Sequence, residues 1–223
     1  MRHHFVARLV PVIAATTVVM WMSIVALPSA QRSDTQGIKE TEGFVKAGDE
    51  TSGAVGKARL QIQSTLAAYN ALVTQPSNDM KGDFKKLLNG RKDTDQRVDE
   101  ARERVAKMEM AGNKYFGGRT ASIKAIQDAA LRQTAQQRFD ENQQQYVGML
   151  TSLREAGQTL QQLRMDLDSQ ITFVGSDLTP AAMASIKPQA QTLNERGVQV
   201  LAKVDEAVAT ANKYFNSMRP TKP

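Results

Sequence analysis

The side chains that most often carry out chemistry in proteins are nearly absent from this sequence. It contains no cysteine and only two histidines, His3 and His4, both at the N-terminus. Imidazole general bases, thiolate nucleophiles and zinc sites built from histidine or cysteine are therefore excluded from residues 5–223. We expect no enzymatic activity, no cofactor and no metal site in this chain.

Two patterns resemble catalytic motifs but fail on their details. Residues 112–120 read GNKYFGGRT, and a phosphate-binding loop needs lysine directly after its second glycine, where this sequence has Gly118 followed by Arg119. The segment also lies between two predicted helices, whereas a phosphate-binding loop follows a strand. Carboxylate pairs such as Asp99 and Glu103 are charged helix faces, because no apolar pocket is predicted that would raise the pKa of either group.

A cluster of basic residues is the best candidate for a binding site. The cluster consists of Lys81, Lys85, Lys86, Arg91 and Lys92. Such a cluster can contact an anionic lipid or a cell-wall surface. Acidic residues are interleaved with it, however, so a solvated start of a helix is the alternative interpretation.

The element with the clearest pattern is the last predicted helix. Apolar and small residues recur at alternating spacings of three and four from Met183 to Met218, which is typical of a heptad seam. Thr179 and Pro180 mark its start as an N-cap and a first helical residue, and Pro188 predicts a kink. Because the seam is rich in alanine, we expect neighbouring helices to come close and supply the bulk.

Three further helices are predicted before it. The first ends at a turn over residues 74–79, and the second runs from about residue 80 to 116, where Gly117 and Gly118 are expected to end it. The third runs from about residue 121 to 174, with a kink or a break between residues 138 and 144, where glutamines interrupt the seam. The predicted fold is therefore all-α: an elongated antiparallel helical bundle, or coiled coil, of about four long helices.

The first half of the first helix is rich in glycine. Glycines occur at residues 37, 43, 48, 53 and 56, and each costs about 1 kcal/mol relative to alanine within a helix. This half is therefore either frayed or packed against something very close. We expect a flexible lead-in over residues 31–52, the helical bundle over residues 53–218 and a disordered tail over residues 219–223.

The residues Asn-Lys-Tyr-Phe occur twice, at 113–116 and at 212–215, near the predicted ends of the second and fourth helices. An internal repeat of two helical hairpins would explain this similarity, and so would chance. Tyrosines on a helical seam are more often part of the core than of a binding site.

The N-terminus has the composition of an export signal. Arginines at residues 2 and 8 precede an uncharged, largely apolar run over residues 9–31. Ala30 suits a cleavage position, whereas the length of the run approaches the ~20 residues of a membrane span. Residues 1–30 are therefore either a cleaved signal peptide or an N-terminal anchor that holds the protein in the inner membrane through residues 9–27. In both cases we expect a periplasmic or other extracytoplasmic location.

The charge of the chain narrows the choice of partners. The net charge is +6, and without the two arginines of the N-terminal segment 27 basic residues face 23 acidic ones, which leaves +4. Export and a mild excess of positive charge argue against nucleic acid. They favour self-association or a protein partner contacted through helices, with an anionic lipid or cell-wall surface as a further option.

Three segments of the chain are similar to a known family: residues 78–114 with their mixed charges, residues 132–154, and residues 173–186, which read FVGSDLTPAAMASI. Over roughly residues 55–215 the chain resembles a bacterial domain-of-unknown-function family, number twenty-nine fifty-nine. The resemblance implies an exported helical protein and no established activity. Many members carry a cysteine for lipid attachment after the signal, and this chain has none, so lipid anchoring is not implied here.

These observations predict a non-enzymatic structural or adaptor protein of the bacterial cell envelope, which acts through coiled-coil contacts with itself or a partner. A periplasmic holdase-type chaperone, an anionic-surface-binding protein and a hydrolase of an unfamiliar kind are the alternatives. A chaperone should have an exposed apolar concavity, and an enzyme should have a pocket with converging polar groups.

Overall fold

Four long helices make up the part of the chain that the computed structural model describes, residues 30–219, with side chains from residue 36. They are α1 (Ala30–Thr74), α2 (Met80–Ala125), α3 (Ala129–Ser176) and α4 (Pro180–Met218). Short connections make each helix antiparallel to the one before it. The longest has 48 residues and therefore spans about 70 Å. The predicted all-α bundle of about four long helices is confirmed.

The predicted export signal lies, apart from Ala30, outside the described residues, and so does the tail beyond Arg219. None of the four helices, over residues 30–219, contains an apolar stretch long enough to cross a membrane.

Side-chain caps fix where three of the helices begin. The backbone N–H of Gly82 donates to the Asp79 carboxylate at 2.9 Å, and that of Leu131 donates to Asp128 at 2.8 Å. The N–H of Ala182 donates to the Thr179 hydroxyl at 3.3 Å, and Pro180 is the first residue of α4, as predicted.

Two predicted helix ends differ from the structure. α2 continues through Gly117 and Gly118 to Ala125, and α3 begins at Ala129. Neither glycine takes the left-handed conformation that ends a helix. A Cβ at Gly118 would meet the carboxylate of Glu40, so α1 passes close to α2 at this glycine. The break considered for α3 is absent, because the helix is continuous over residues 138–144. α4 is continuous through Pro188, and the kinks at both places stay predictions.

α1 packs into the core from Phe44 onward, which disagrees with the second part of the frayed lead-in predicted for residues 31–52, whereas residues 36–43 are mostly exposed. Phe44 and Thr51 are fully buried, whereas Ile38 is 56% exposed. A Cβ at Gly48 would overlap the ring of Phe215. Close packing, the alternative to fraying, is therefore the reason that this helix carries a glycine here.

Phe44 is the centre of an aromatic cluster at one end of the bundle. Its ring centroid lies 5.1–6.2 Å from those of five other aromatic residues. These residues are Tyr115, Phe116, Tyr146, Tyr214 and Phe215. Both copies of the Asn-Lys-Tyr-Phe sequence thus supply their aromatic pair to the same core, one from α2 and one from α4.

The four helices do not contact one another equally. α1 packs extensively against α2 and α4, and α3 packs against α4, whereas α2 and α3 approach each other closely at few places. α1 is therefore the central element, and the seam between α2 and α3 is the most open side of the bundle.

Replacing Phe44 should show whether the start of α1 belongs to the core. We expect Phe44→Ala to lower the free energy of unfolding by about 3–5 kcal/mol, because a fully buried ring is lost. The matched change Ile38→Ala, on the exposed side of the same helix, should cost less than about 0.5 kcal/mol. Urea unfolding followed by circular dichroism measures the loss of stability in both variants. Equal losses would contradict the packing of Phe44 and favour a frayed start of α1.

The buried tyrosines predict a loss of stability at high pH. Burial raises the pKa of Tyr69 and of Tyr146 from 10.0 to about 12. Tyrosines of the unfolded chain ionise near pH 10. The contribution of the two buried tyrosines to the free energy of unfolding is therefore fully present below pH 10 and is lost as the pH rises towards about 12. The melting temperature and the tyrosinate absorbance should change together over this range, whereas ionisation of all four tyrosines near pH 10 in a folded protein would contradict the burial.

Candidate functional site

The structure divides the predicted basic cluster into two groups. Lys81, Lys85 and Lys92 are exposed and follow one another at helical spacing on the outer face of α2. Leu88 lies on the same face, between the lysines in sequence, and is 41% exposed. These four residues form a surface that we call the lysine stripe. Within residues 36–219, none of its three lysines takes part in an ion pair.

The other two members of the cluster are bound to acidic residues. Lys86 pairs with Asp83 at 3.0 Å, and this hydrogen bond raises the pKa of Lys86. Arg91 donates to both carboxylate oxygens of Asp168 on α3, at 2.5 and 2.9 Å, and these bonds raise the pKa of Arg91. Arg91 therefore holds two helices together and is not available to an anionic surface.

Charged side chains also bridge α2 and α3 at other levels. Arg164 lies 3.2 Å from Asp95, next to the pair of Arg91 with Asp168. Further along the seam, Arg154 lies 3.0 Å from Glu109. The two helices are thus joined by ion pairs at two separate levels.

An apolar groove of about 540 Å³ opens between those two levels. Val98, Val105, Leu153 and Leu160 form its walls, and Val55 of α1 and Val204 of α4 form part of its floor. Three buried alanines, Ala58, Ala101 and Ala156, also line it. We call it the α2–α3 groove. It exists because three of the helices present their smallest apolar side chain at this place, so little fills the space between them.

The polar lining of the α2–α3 groove is sparse. Arg102 and Arg154 are the only charged side chains among its lining residues in the described part of the chain, and glutamines 158, 161 and 162 complete the polar set. Arg102 crosses the mouth by donating to the Gln161 side-chain oxygen at 2.6 Å. Two cations with no lining carboxylate or imidazole do not form an acid–base pair, so the arrangement is suited to binding rather than to proton transfer.

Comparison with protein families identifies the family of this chain. A family model described as "Protein of unknown function (DUF2959)" matches residues 31–218. The chain belongs to the DUF2959 family. This match confirms the resemblance seen in the sequence and extends it to the start of α1. No curated protein and no solved structure matches the chain.

In this DUF2959 protein the sequence alone did not reveal the groove. The charged residues around Ala101 predicted a solvated helix face, and the structure instead uses Arg102 at the groove mouth. A signal was present, because Ala101 and Ala156 occupy seam positions of two helices that follow each other in the chain. Which alanines lie at one level depends on where the turn between α2 and α3 falls, and that turn was placed too early.

No group of three or more metal-binding side chains occurs in the described part of the DUF2959 chain. The lysine stripe and the α2–α3 groove are the candidate sites to which the basic cluster and the largest apolar lining among the described residues point.

Anionic vesicles test the lysine stripe. We expect the chain without residues 1–29 to sediment with them at low salt, because each lysine near an anionic membrane contributes about 1 kcal/mol and the attraction decays over about 8 Å at physiological salt. Replacing Lys81, Lys85 and Lys92 together by glutamine should abolish sedimentation.

The control is Lys86→Gln, whose lysine is already paired with Asp83. It should sediment like the parent. If the triple variant sediments as well as the parent, or if the parent does not sediment at low salt, the stripe is only a solvated helix face.

Proposed function

We propose that this protein is a non-enzymatic structural or adaptor protein of the bacterial cell envelope, which acts through helix–helix contacts with itself or a protein partner. The observation that carries the proposal is the first part of α3, residues 129–141, which we call the α3 arm. It extends past the end of α4, and its seam face becomes uncovered towards Leu131, whereas Phe139 packs against Phe116 of α2.

The position of the end of α4 defines how far the α3 arm extends. The Tyr214 hydroxyl donates to the Asn142 side-chain oxygen at 3.2 Å, and α4 ends at Met218, one turn later. Arg219 then turns to Asp49 of α1, at 2.7 Å. Since α4 runs antiparallel to α3, the first turns of α3 lie beyond the reach of α4.

The seam of α3 continues into the arm. Tyr146, Phe139, Ala135 and Leu131 follow one another at spacings of seven, four and four, which keeps them on one helix face. Tyr146 is buried, Phe139 and Ala135 are half-buried, and Leu131 is 64% exposed. A seam that becomes progressively uncovered along a straight helix is a surface on which another helix can pack.

Location in the envelope is supported by the sequence of the N-terminal segment. Two arginines followed by an uncharged apolar run over residues 9–31 are typical of export. An exported bundle, whether released or held through residues 9–27, would present the α3 arm to partners outside the cytoplasm. The two arginines of the groove offer no acid–base pair, which also favours binding over catalysis.

Photo-crosslinking in envelopes tests the α3 arm. A photoreactive amino acid at Leu131 should give one discrete crosslinked product, either a partner or a second copy of the chain. The control position is Val198 on α4, which has the same exposure of 64% but lies on the outside of the packed bundle. It should give no specific product.

Two results would contradict the proposal. Equal products at both positions would mean that the α3 arm has no special role, and no product at either position would mean that the arm has no partner. A broad distribution of products at Leu131 would instead favour the chaperone.

A holdase-type chaperone is the second candidate, and the α2–α3 groove is the observation that favours it, because it is an exposed apolar concavity. The short length of the groove argues against this candidate. The groove extends from Leu153 to Met165 on α3, which is about 18 Å of helix. An extended peptide covers that distance with about five residues, a short grip for holding an unfolded chain.

A further inference from the structure

The α2–α3 groove combines an apolar interior with a cationic mouth. Most of its lining is aliphatic, and its only charged side chains in the described part of the chain, Arg102 and Arg154, are both positive. We propose that the groove binds one molecule of a single-chain anionic amphiphile, an unbranched alkyl chain with a carboxylate head, as in a long-chain fatty acid. This goes beyond the adaptor function, which rests on the α3 arm.

The size of the groove suits a single small molecule. Its volume of about 540 Å³ lies within the ~300–1,000 Å³ of small-molecule sites. The groove follows α3 for about 18 Å, and an unbranched alkyl chain, which is one methylene wide, fits along that length.

The chemistry of the walls favours an alkyl chain over an extended peptide. A peptide brings one N–H and one C=O per residue, and each needs a hydrogen-bonding partner when it leaves water. The aliphatic lining, which includes Val98, Val105 and Leu153, offers none, and the polar lining is limited to three glutamines and two arginines. An alkyl chain has no polar group to satisfy, and each buried methylene contributes about 0.8 kcal/mol.

The arginines can receive an anionic head. Arg102 is about half exposed and lies 3.4 Å from Asp99, which is long compared with the ~2.7–2.9 Å of a strong charged hydrogen bond. Asp99 does not line the groove, and the bond from Arg102 to Gln161 holds the guanidinium at the mouth, so a carboxylate there can replace Asp99 as its partner. Arg154 lies on the other wall and is also about half exposed, although it pairs with Glu109. The head would therefore lie at the mouth and the chain along the apolar floor.

Filling the groove tests where the ligand binds. The probe is cis-parinaric acid, a fatty acid whose fluorescence rises in apolar surroundings, titrated into the full chain below its critical micelle concentration. We expect saturable binding of one molecule per chain. Ala156→Leu or Ala101→Leu, which place a side chain in the groove, should weaken binding at least tenfold.

The control for added bulk is Ala106→Leu on α2, where Ala106 is exposed and lies outside the groove lining. It should bind like the parent. Circular dichroism melting shows whether each variant is folded, and two alternative filling positions keep the test valid if one variant does not fold.

A second set of variants tests the head. The double change Arg102→Gln and Arg154→Gln should weaken binding of the fatty acid about tenfold, or about 1.4 kcal/mol. The uncharged alcohol that has the same alkyl chain as palmitate should compete with the probe equally well in the double variant and in the parent. Arg97→Gln is the matched control, because Arg97 is an exposed arginine of α2 that does not line the groove.

The proposal is overturned if the parent does not bind the probe, if a folded groove-filling variant binds as tightly as the parent, or if the double arginine variant binds the fatty acid unchanged. Capture of a partner helix that palmitate does not displace from the groove would overturn it as well, and would make the groove a protein-docking surface. None of these results affects the crosslinking test of the α3 arm, so the two proposals can fail separately.

Discussion

Between Phe84, which lies against Gly175, and Phe116, which packs against Tyr146, long charged side chains join α2 to α3. The rest of the structure depends on this weak closure. The ion pairs of Arg91 with Asp168 and of Arg164 with Asp95 are only partly buried. Exposed pairs contribute about 0.2–1 kcal/mol each, whereas burying one leucine contributes about 1.5–3 kcal/mol. The bundle is therefore stabilised mainly by α1 against α2 and α4 and by α3 against α4, and its fourth side stays open enough to form a groove.

The central position of α1 follows from this arrangement. Its Tyr69 and Val73, which are fully buried, belong to the core at one end, and Phe44 is the centre of the aromatic cluster at the other. Between them, Ala58 faces the α2–α3 groove. One helix thus supplies bulk at both ends of the bundle and a small side chain between them. With this distribution, the helices pack tightly except along the seam between α2 and α3, which suits the binding of a ligand at that seam.

The sequence predicted the seams of α2 and α4 well, because their heptad spacing is a local property. Met183, Leu193 and Ala207 of the predicted α4 seam are buried, and Leu87, Thr94 and Met108 of α2 are buried at the same heptad spacing. The first half of α1 could not be predicted in the same way. Its packing depends on Phe215, which is distant in sequence, and a glycine that admits a ring looks the same in sequence as a glycine that frays a helix.

The candidate sites were predictable only in part. The spacing of Lys81, Lys85 and Lys92 places them on one face, but the pairing of Arg91 with Asp168 depends on the register of α2 against α3. That register is fixed by the turn at residues 126–128. The glycines at 117 and 118 had led us to predict this turn too early in the chain. The groove depends on the same register, since it decides which small side chains lie at the same level.

Hydrogen exchange measured by mass spectrometry, with and without palmitate, tests the central claim most directly. Without ligand, amides of α1 around Ile62 to Val73 should exchange slowest and those of the α3 arm fastest, because the first lie in the core and the second are mostly exposed. Palmitate should protect residues 98–105 of α2 and 153–165 of α3, the two walls of the α2–α3 groove. Uniform exchange across the four helices, or protection by palmitate that avoids both walls, would contradict the account.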